Sequence, residues 1–179
     1  MVLRDLGFAV APGRALAVEG ANGAGKTSLL RMLAGFIAPA GGTIRFGDLA
    51  DGEERGKRVG WLGHHDAVKT QMTVRETLAF FARLHGGGDV DAAMERTGLA
   101  RLAELPGQYL SAGQRKRVSL ARLLLSARPL WLMDEPLASL DAGGKTTAAG
   151  LVAAHVAAGG IAVVATHEPL GIDCERLAL

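Results

Sequence analysis

An eight-residue stretch, Gly20-Ala21-Asn22-Gly23-Ala24-Gly25-Lys26-Thr27, constrains this chain more than any other part of it. Its glycines let the backbone curl until successive N–H groups converge on one point, an arrangement that suits phosphate oxygens. The apolar run Ala15-Leu16-Ala17-Val18-Glu19 precedes it, and a helix-forming run from Thr27 to Ala34 follows. Strand, glycine-rich loop and helix in that order aim the positive end of a helix at an anion. In that frame Gly20, Asn22, Gly23, Ala24, Gly25 and Ser28 cradle the phosphates, and Lys26 reaches the β- and γ-phosphates. The Thr27 hydroxyl is placed to ligate Mg²⁺. The chain is expected to bind a nucleoside triphosphate.

The rest of the pattern alternates strands and helices. Leu130-Trp131-Leu132-Met133 and Ile161-Ala162-Val163-Val164-Ala165 are continuous apolar runs, as expected of parallel strands covered on both faces. Val59-Gly60-Trp61-Leu62 reads as another strand. Thr43 to Gly47, after the turn Gly41-Gly42, reads as a partly exposed one. Thr73-x-x-Glu76 is a capping box ahead of a helix whose inner face carries Val74, Leu78, Phe81 and Leu84 or His85. Gly86-Gly87-Gly88 ends that helix, and Asp89 caps the next, which runs towards Thr97-Gly98. A further helix spans Gln114 to Ala127, with Val118, Ala121, Leu124 and Leu125 inwards and Pro129 stopping it. This order predicts a three-layer α/β domain with a helical insertion over 70–112 between two core halves, 1–69 and 113–179. A length of 179 residues suits one such domain.

Ala148 to Thr166 has no formal charge and could be mistaken for a membrane span. It is mostly Ala and Gly, carries His155 and breaks at Gly159-Gly160, so it reads as a buried helix followed by a buried strand. The chain is expected to be soluble by itself. The N-terminus lacks the basic-then-apolar layout of a signal peptide. One cysteine, Cys174, excludes an intrachain disulfide and a multi-cysteine metal site, and suits a reducing compartment. A net charge of +2 gives no footing for nucleic acid as a partner. Between Arg101 and Arg128 six Lys or Arg residues face one acid, Glu104. This reads as a solvated helix face, with attraction to phosphates or anionic headgroups as the functional alternative.

Two further motifs carry chemistry. Asp134 and Glu135 close the apolar strand at its C-terminal edge, where α/β sheets hold ligands. Asp134 is expected to hold Mg²⁺ through water, and Glu135 to act as general base on the attacking water. Leu110-Ser111-Ala112-Gly113-Gln114 opens a basic helix, so Ser111, Gly113 and Gln114 form a second anion site. A serine there also serves as a plain helix cap. One nucleotide already has its phosphate loop, so this second site points to a neighbouring subunit.

In that order the motifs resemble the ATP-binding subunits of ABC transporters, over nearly the whole chain. Gly20 to Thr27 matches the Walker A loop, Leu110 to Gln114 the signature and Leu132 to Glu135 the Walker B strand. Ser139-Leu140-Asp141 resembles the D-loop, and His167 the switch histidine. The resemblance implies a P-loop NTPase fold of the ABC type, with ATP and Mg²⁺ at the site. It implies two copies meeting head to tail, most simply as a homodimer, with two ATP between them. His167 would contact the γ-phosphate and Asp141 would communicate across the dimer.

A narrower resemblance is to the haem-exporter ATPases of cytochrome c biogenesis. It rests on Ala112, on Gly63-His64-His65 followed by Lys69-Thr70, on Ala121 to Ser126 leading into Leu130-Trp131-Leu132, and on Thr166 to Leu170. It implies integral membrane partners of cytochrome c maturation and a peripheral place at the cytoplasmic face of the inner membrane. Haem would be handled by a partner, since no Cys-x-x-Cys-His is present. The runner-up is an ABC-type ATPase acting on DNA or ribosomes. A third reading is a P-loop kinase, which would not need Leu110 to Gln114.

Two departures from the family pattern stand out. His65 falls where the family has a glutamine, and is expected to sense the metal or its water with looser coupling to the partner; His64 or Gln71 could substitute. The family's opening strand, with an aromatic that stacks on adenine, is expected upstream of the stretch Leu3 to Pro12 and so outside this sequence, and Phe8 reads as core. Weak discrimination between ATP and GTP and an exposed sheet edge are the expected consequences.

Overall fold

Alternation along the strands sorts the core residues onto two faces of one sheet. The computed structural model describes residues 3–49, 52–64, 66 and 68–179. Its strands are β1 (Ala15–Glu19), β2 (Val59–Leu62), β3 (Leu130–Asp134), β4 (Ile161–Ala165) and β5 (Glu175–Ala178). They pair in parallel throughout, in the order β2-β3-β4-β1-β5. Leu16, Val18, Leu130, Leu132, Ile161 and Val163 face α1 (Lys26–Leu33), where Leu29 and Leu30 meet them. Ala15, Ala17, Trp131, Met133, Ala162 and Val164 face α5 (Ala112–Ser126) and α6 (Ala142–Ala157). Parallel strands buried on both faces need apolar residues at every position, and β3 and β4 are buried along their whole length.

The helical insertion has a core of its own. In α3 (Val74–Leu84) the buried seam is Val74, Leu78 and Ala82, which packs with Ala93 and Met94 of α4 (Val90–Arg96). Val118, Ala121 and Leu125 of α5 join this cluster, while Leu120 and Leu123 of the same helix join the sheet core. Helix α5 therefore belongs to both bodies. Thr73 and Glu76 form the expected capping box, and Asp89 caps α4.

Some expectations are corrected. Thr43 to Gly47 is no strand: Gly47 turns at a φ of 58° so that Phe46 bridges back to Leu49. The Ile44 carbonyl instead accepts from Arg55 Nη1 at 2.7 Å, in the short helix α2 (Gly52–Gly56). Phe8 is exposed, not core: residues 3–10 join no strand among the described residues. Leu84 is likewise 66% exposed, its place on the inner face taken by Ala82. Helix α5 stops at Ala127, which turns left-handed at a φ of 47°, ahead of Pro129. Its basic residues are no solvated face. Lys116 is buried, Arg115 Nη1 donates to the Leu110 carbonyl, and Arg117 and Arg122 hold the acceptors described below. Cys174 is half-buried against the α5/α6 core, and burial raises its thiol pKa.

Candidate functional site

The glycine-rich loop leaves β1 at the edge of the sheet where β3 and β4 also end. Gly23 and Gly25 adopt φ values of 84° and 107°, which L side chains resist. No side chain caps α1, so the N–H groups of its first turn are left to a ligand. Lys26, 7% exposed, folds back over this loop, and its Nζ donates to the carbonyls of Gly20 (2.7 Å) and Ala21 (3.2 Å). Ala24 N donates to the Ala21 carbonyl, closing the curl.

Beside it, Thr27 Oγ1 donates to Asp134 Oδ2 at 2.8 Å, with the Asp134 carboxylate buried at the end of β3. The next residue, Glu135, takes a left-handed φ of 49° while its N–H donates to the Ala165 carbonyl at 2.9 Å. Backbone strain of this kind persists where the surroundings hold it, and here it turns the Glu135 side chain towards β4's exit. Glu135 Oε1 is shielded from solvent without an aligned donor, and His167 Nε2 lies 3.1 Å from it. His167 Nε2 is also 3.3 Å from Lys26 Nζ. The turn that carries this histidine is fixed by Thr166 Oγ1, which donates to the Glu168 carbonyl (2.8 Å) and accepts from the Glu168 N–H (3.0 Å). Lys145 of α6 pairs with the Glu168 carboxylate.

Part of this assembly lines one cleft of about 840 Å³, with Gly20 and Ala24 of the loop outside its lining. Asn22, Gly23, Gly25, Lys26, Thr27 and Ser28 form one wall, and Asp134, Glu135 and His167 the other. The arrangement offers N–H donors and an ammonium to an anion, two oxygen donors to a hard cation, and a carboxylate to a proton. The pairing of Thr27 Oγ1 with Asp134 Oδ2 suits Mg²⁺, which takes oxygen ligands and completes its shell from phosphates and water. Among the described residues no three His, Cys, Asp or Glu converge as a cage of their own.

The remaining candidates sit elsewhere. Ser111, Gly113, Gln114 and Asp141 do not line this cleft. Ser111 accepts from Gln114 N–H at 3.2 Å and Gln114 Oε1 accepts from Ser111 N–H at 2.8 Å, a complete capping box on α5. A Cβ on Gly113 would stand 2.6 Å from the Ser139 carbonyl, so signature and D-loop touch within the chain. Asp141 caps α6 through Gly144 N–H (2.7 Å) and pairs with Arg117 Nη2 (2.7 Å). The Gly144 bond first, and Arg117 second, hold its carboxyl below the usual range. His65 lies outside the described residues. Of its two substitutes, His64 lines the cleft and Gln71 does not.

Sequence reasoning missed Arg31, Phe36 and Trp61 on the cleft wall. Phe36 and Trp61 meet edge to face at 5.2 Å, a contact between the end of α1 and β2 that no local pattern announces. A second cavity, about 490 Å³, lies between residues 3–10, α1 and the sheet, and shares only Ser28 with the cleft.

Comparison with known proteins agrees with this architecture. The ABC transporter family profile matches residues 3–138. The chain is 49% identical to a cytochrome c biogenesis ATP-binding export protein CcmA of Rhodopseudomonas palustris, over 99% of this chain and 90% of that one. It is 48% identical to the CcmA of Rhizobium meliloti, over 96% and 86% respectively. Among solved structures, a putative ABC transporter ATP-binding protein from Pyrococcus furiosus superposes with a TM-score of 0.85 at 23% identity, covering 95% of this chain and 86% of that one.

Proposed function

The chain belongs to the ABC transporter family, and from that premise we propose that it is the ATP-hydrolysing subunit of an exporter in cytochrome c-type biogenesis, with haem as the cargo of its membrane partners. The observation that carries the ATPase part is the convergence of Lys26, Thr27 with Asp134, and Glu135 with His167 in one cleft. The export part rests on relatives nearly half identical over almost the full chain.

The triphosphate lies along the loop, and its oxygens replace the Gly20 and Ala21 carbonyls as partners of Lys26. Thr27 and Asp134 would hold Mg²⁺, which neutralises phosphate charge when bound. Glu135 takes a proton from water as the water oxygen bonds to the γ-phosphorus and the bond to the β-side bridging oxygen breaks, giving ADP and phosphate. His167, within reach of both Lys26 and Glu135, orients the γ-phosphate and the carboxylate.

Ser111, Gly113, Gln114 and Asp141 lie away from their own cleft, which supports their serving the cleft of a second copy. The insertion over 70–112 then moves with the signature and meets the membrane subunits. Among the described residues no helix is long and apolar enough to cross a membrane; in this reading the subunit sits peripherally at the cytoplasmic face of the inner membrane.

A pull-down from native membranes with tagged Glu135→Gln protein and Mg-ATP tests this. Recovery of an integral membrane protein together with cytochrome maturation factors is expected. A different permease would remove the haem assignment, and ribosomal or DNA-bound material alone would remove the transport reading.

A further inference from the structure

Asp66 follows His64 by two residues, in the loop whose Gly63 and His64 line the nucleotide cleft. Instead of facing solvent, it is gripped by α5. Its carbonyl accepts from Ser119 Oγ and from Arg122 Nη1, each at 3.0 Å. Its carboxylate Oδ1 lies 3.3 Å from Lys116 Nζ and 3.3 Å from Ser119 Oγ. Lys116, Ser119 and Arg122, spaced i, i+3 and i+6, form one slanted ridge of α5. The Lys116 side chain is only 6% exposed, and a buried ammonium needs a counter-charge. Arg122 lies 3.8 Å over the Phe81 ring of α3, so the same ridge is locked to the insertion. Burial lowers the Arg122 pKa and the Asp66 charge opposes that fall. Asp66 therefore balances two cations on one helix.

That helix begins at the signature Ser111 and also carries Arg117, paired with Asp141. We propose that Asp66 is a positioning residue: by clasping Lys116, Ser119 and Arg122 it makes the cleft-lining loop and the signature helix move as one unit. This rests on the reading of an ATPase that works as a pair. Nucleotide contacts in one copy then set where its Ser111 is presented to the other. Asp66 itself touches no nucleotide, so its loss spares binding and damages the step that needs both copies.

The test uses the full chain with Asp66→Asn, Lys116→Met and the double substitution, reading ADP affinity, KM and kcat for ATP, and melting temperature. Lys116→Met keeps an unbranched side chain of similar length while removing the buried charge, and so guards against simple misfolding of the Asp66 variant. We expect ADP affinity and KM within about twofold of the parent, kcat lower by roughly tenfold in each single variant, and no further loss in the double. An unchanged kcat overturns the proposal, as do losses that multiply in the double. A parallel fall of ADP affinity, kcat and melting temperature also overturns it, since that marks a merely structural contact. A parent chain that binds nucleotide but never hydrolyses it overturns the ATPase reading, and the clasp with it.

Discussion

At the start of α1 no side chain caps the first turn, whereas at the start of α5 Ser111 and Gln114 already satisfy each other's backbone N–H groups. Both are helix N-termini suited to an anion. The first is surrounded by the rest of a reaction site: Lys26, Asp134, Glu135 and His167 line the same cleft. The second is closed on itself, with Gly113 against the Ser139 carbonyl and Arg117 paired with Asp141. The contrast is between the larger part of a binding site and, separately, a capped helix start whose residues lie outside that cleft. The first needs a ligand to satisfy its donors. The second has its own cap, and in the proposed reading it is brought to a partner's nucleotide.

Breaking either side of this contrast has distinct signatures. Removing the ammonium in Lys26→Ala should weaken ADP binding by about 10- to 100-fold, the loss of charge-assisted hydrogen bonds worth about 1.5–3 kcal/mol. Calorimetric titration measures it. Ser111→Ala should leave ADP affinity of the single chain unchanged and cost about 1 kcal/mol of helix capping; equal losses of affinity in both variants would erase the contrast. Between these two in size, Gly113→Ala places a methyl 2.6 Å from the Ser139 carbonyl. Overpacking of that kind costs about 1–3 kcal/mol, read as a shifted urea midpoint with ADP binding retained.

The smallest effect concerns Asp141. Its folded pKa is depressed by the Gly144 N–H and by Arg117, so the stability it contributes is present above its unfolded pKa, about 3.9. That stability is lost as pH falls through the lower folded value. Thermal melts of Asp141→Asn between neutral and acid pH should therefore lack part of the parent's decline below about pH 4.

How much of this was legible in the sequence follows from how local each feature is. The phosphate loop, the capping box at Thr73, the serine cap at Ser111 and the apolar runs of β3 and β4 are set by neighbours within a few residues, and the structure has them where the pattern put them. β5 was not legible: Glu175 to Ala178 is four residues long, alternates exposed and half-buried positions, and becomes a strand only by pairing with β1. The reverse holds for Thr43 to Gly47, which has strand composition and no ladder. Glu135 and His167 could be named from their motifs, but not their 3.1 Å approach, which depends on β3 and β4 lying side by side. The basic run on α5 reads as solvated in sequence because its counter-charges, Asp66 and Asp141, are 50 residues before Lys116 and 24 after Arg117.

The central claim, a site that one chain supplies only in part, is tested most directly by the mass of the Glu135→Gln chain in solution. Sedimentation of that variant with Mg-ATP should give a species of twice the chain mass, returning to the single mass with ADP. Adding Ser111→Arg, which alters no residue lining the cleft, should hold it at the single mass while ATP still binds. A chain that binds Mg-ATP, hydrolyses it in its unsubstituted form and stays single throughout would contradict the account.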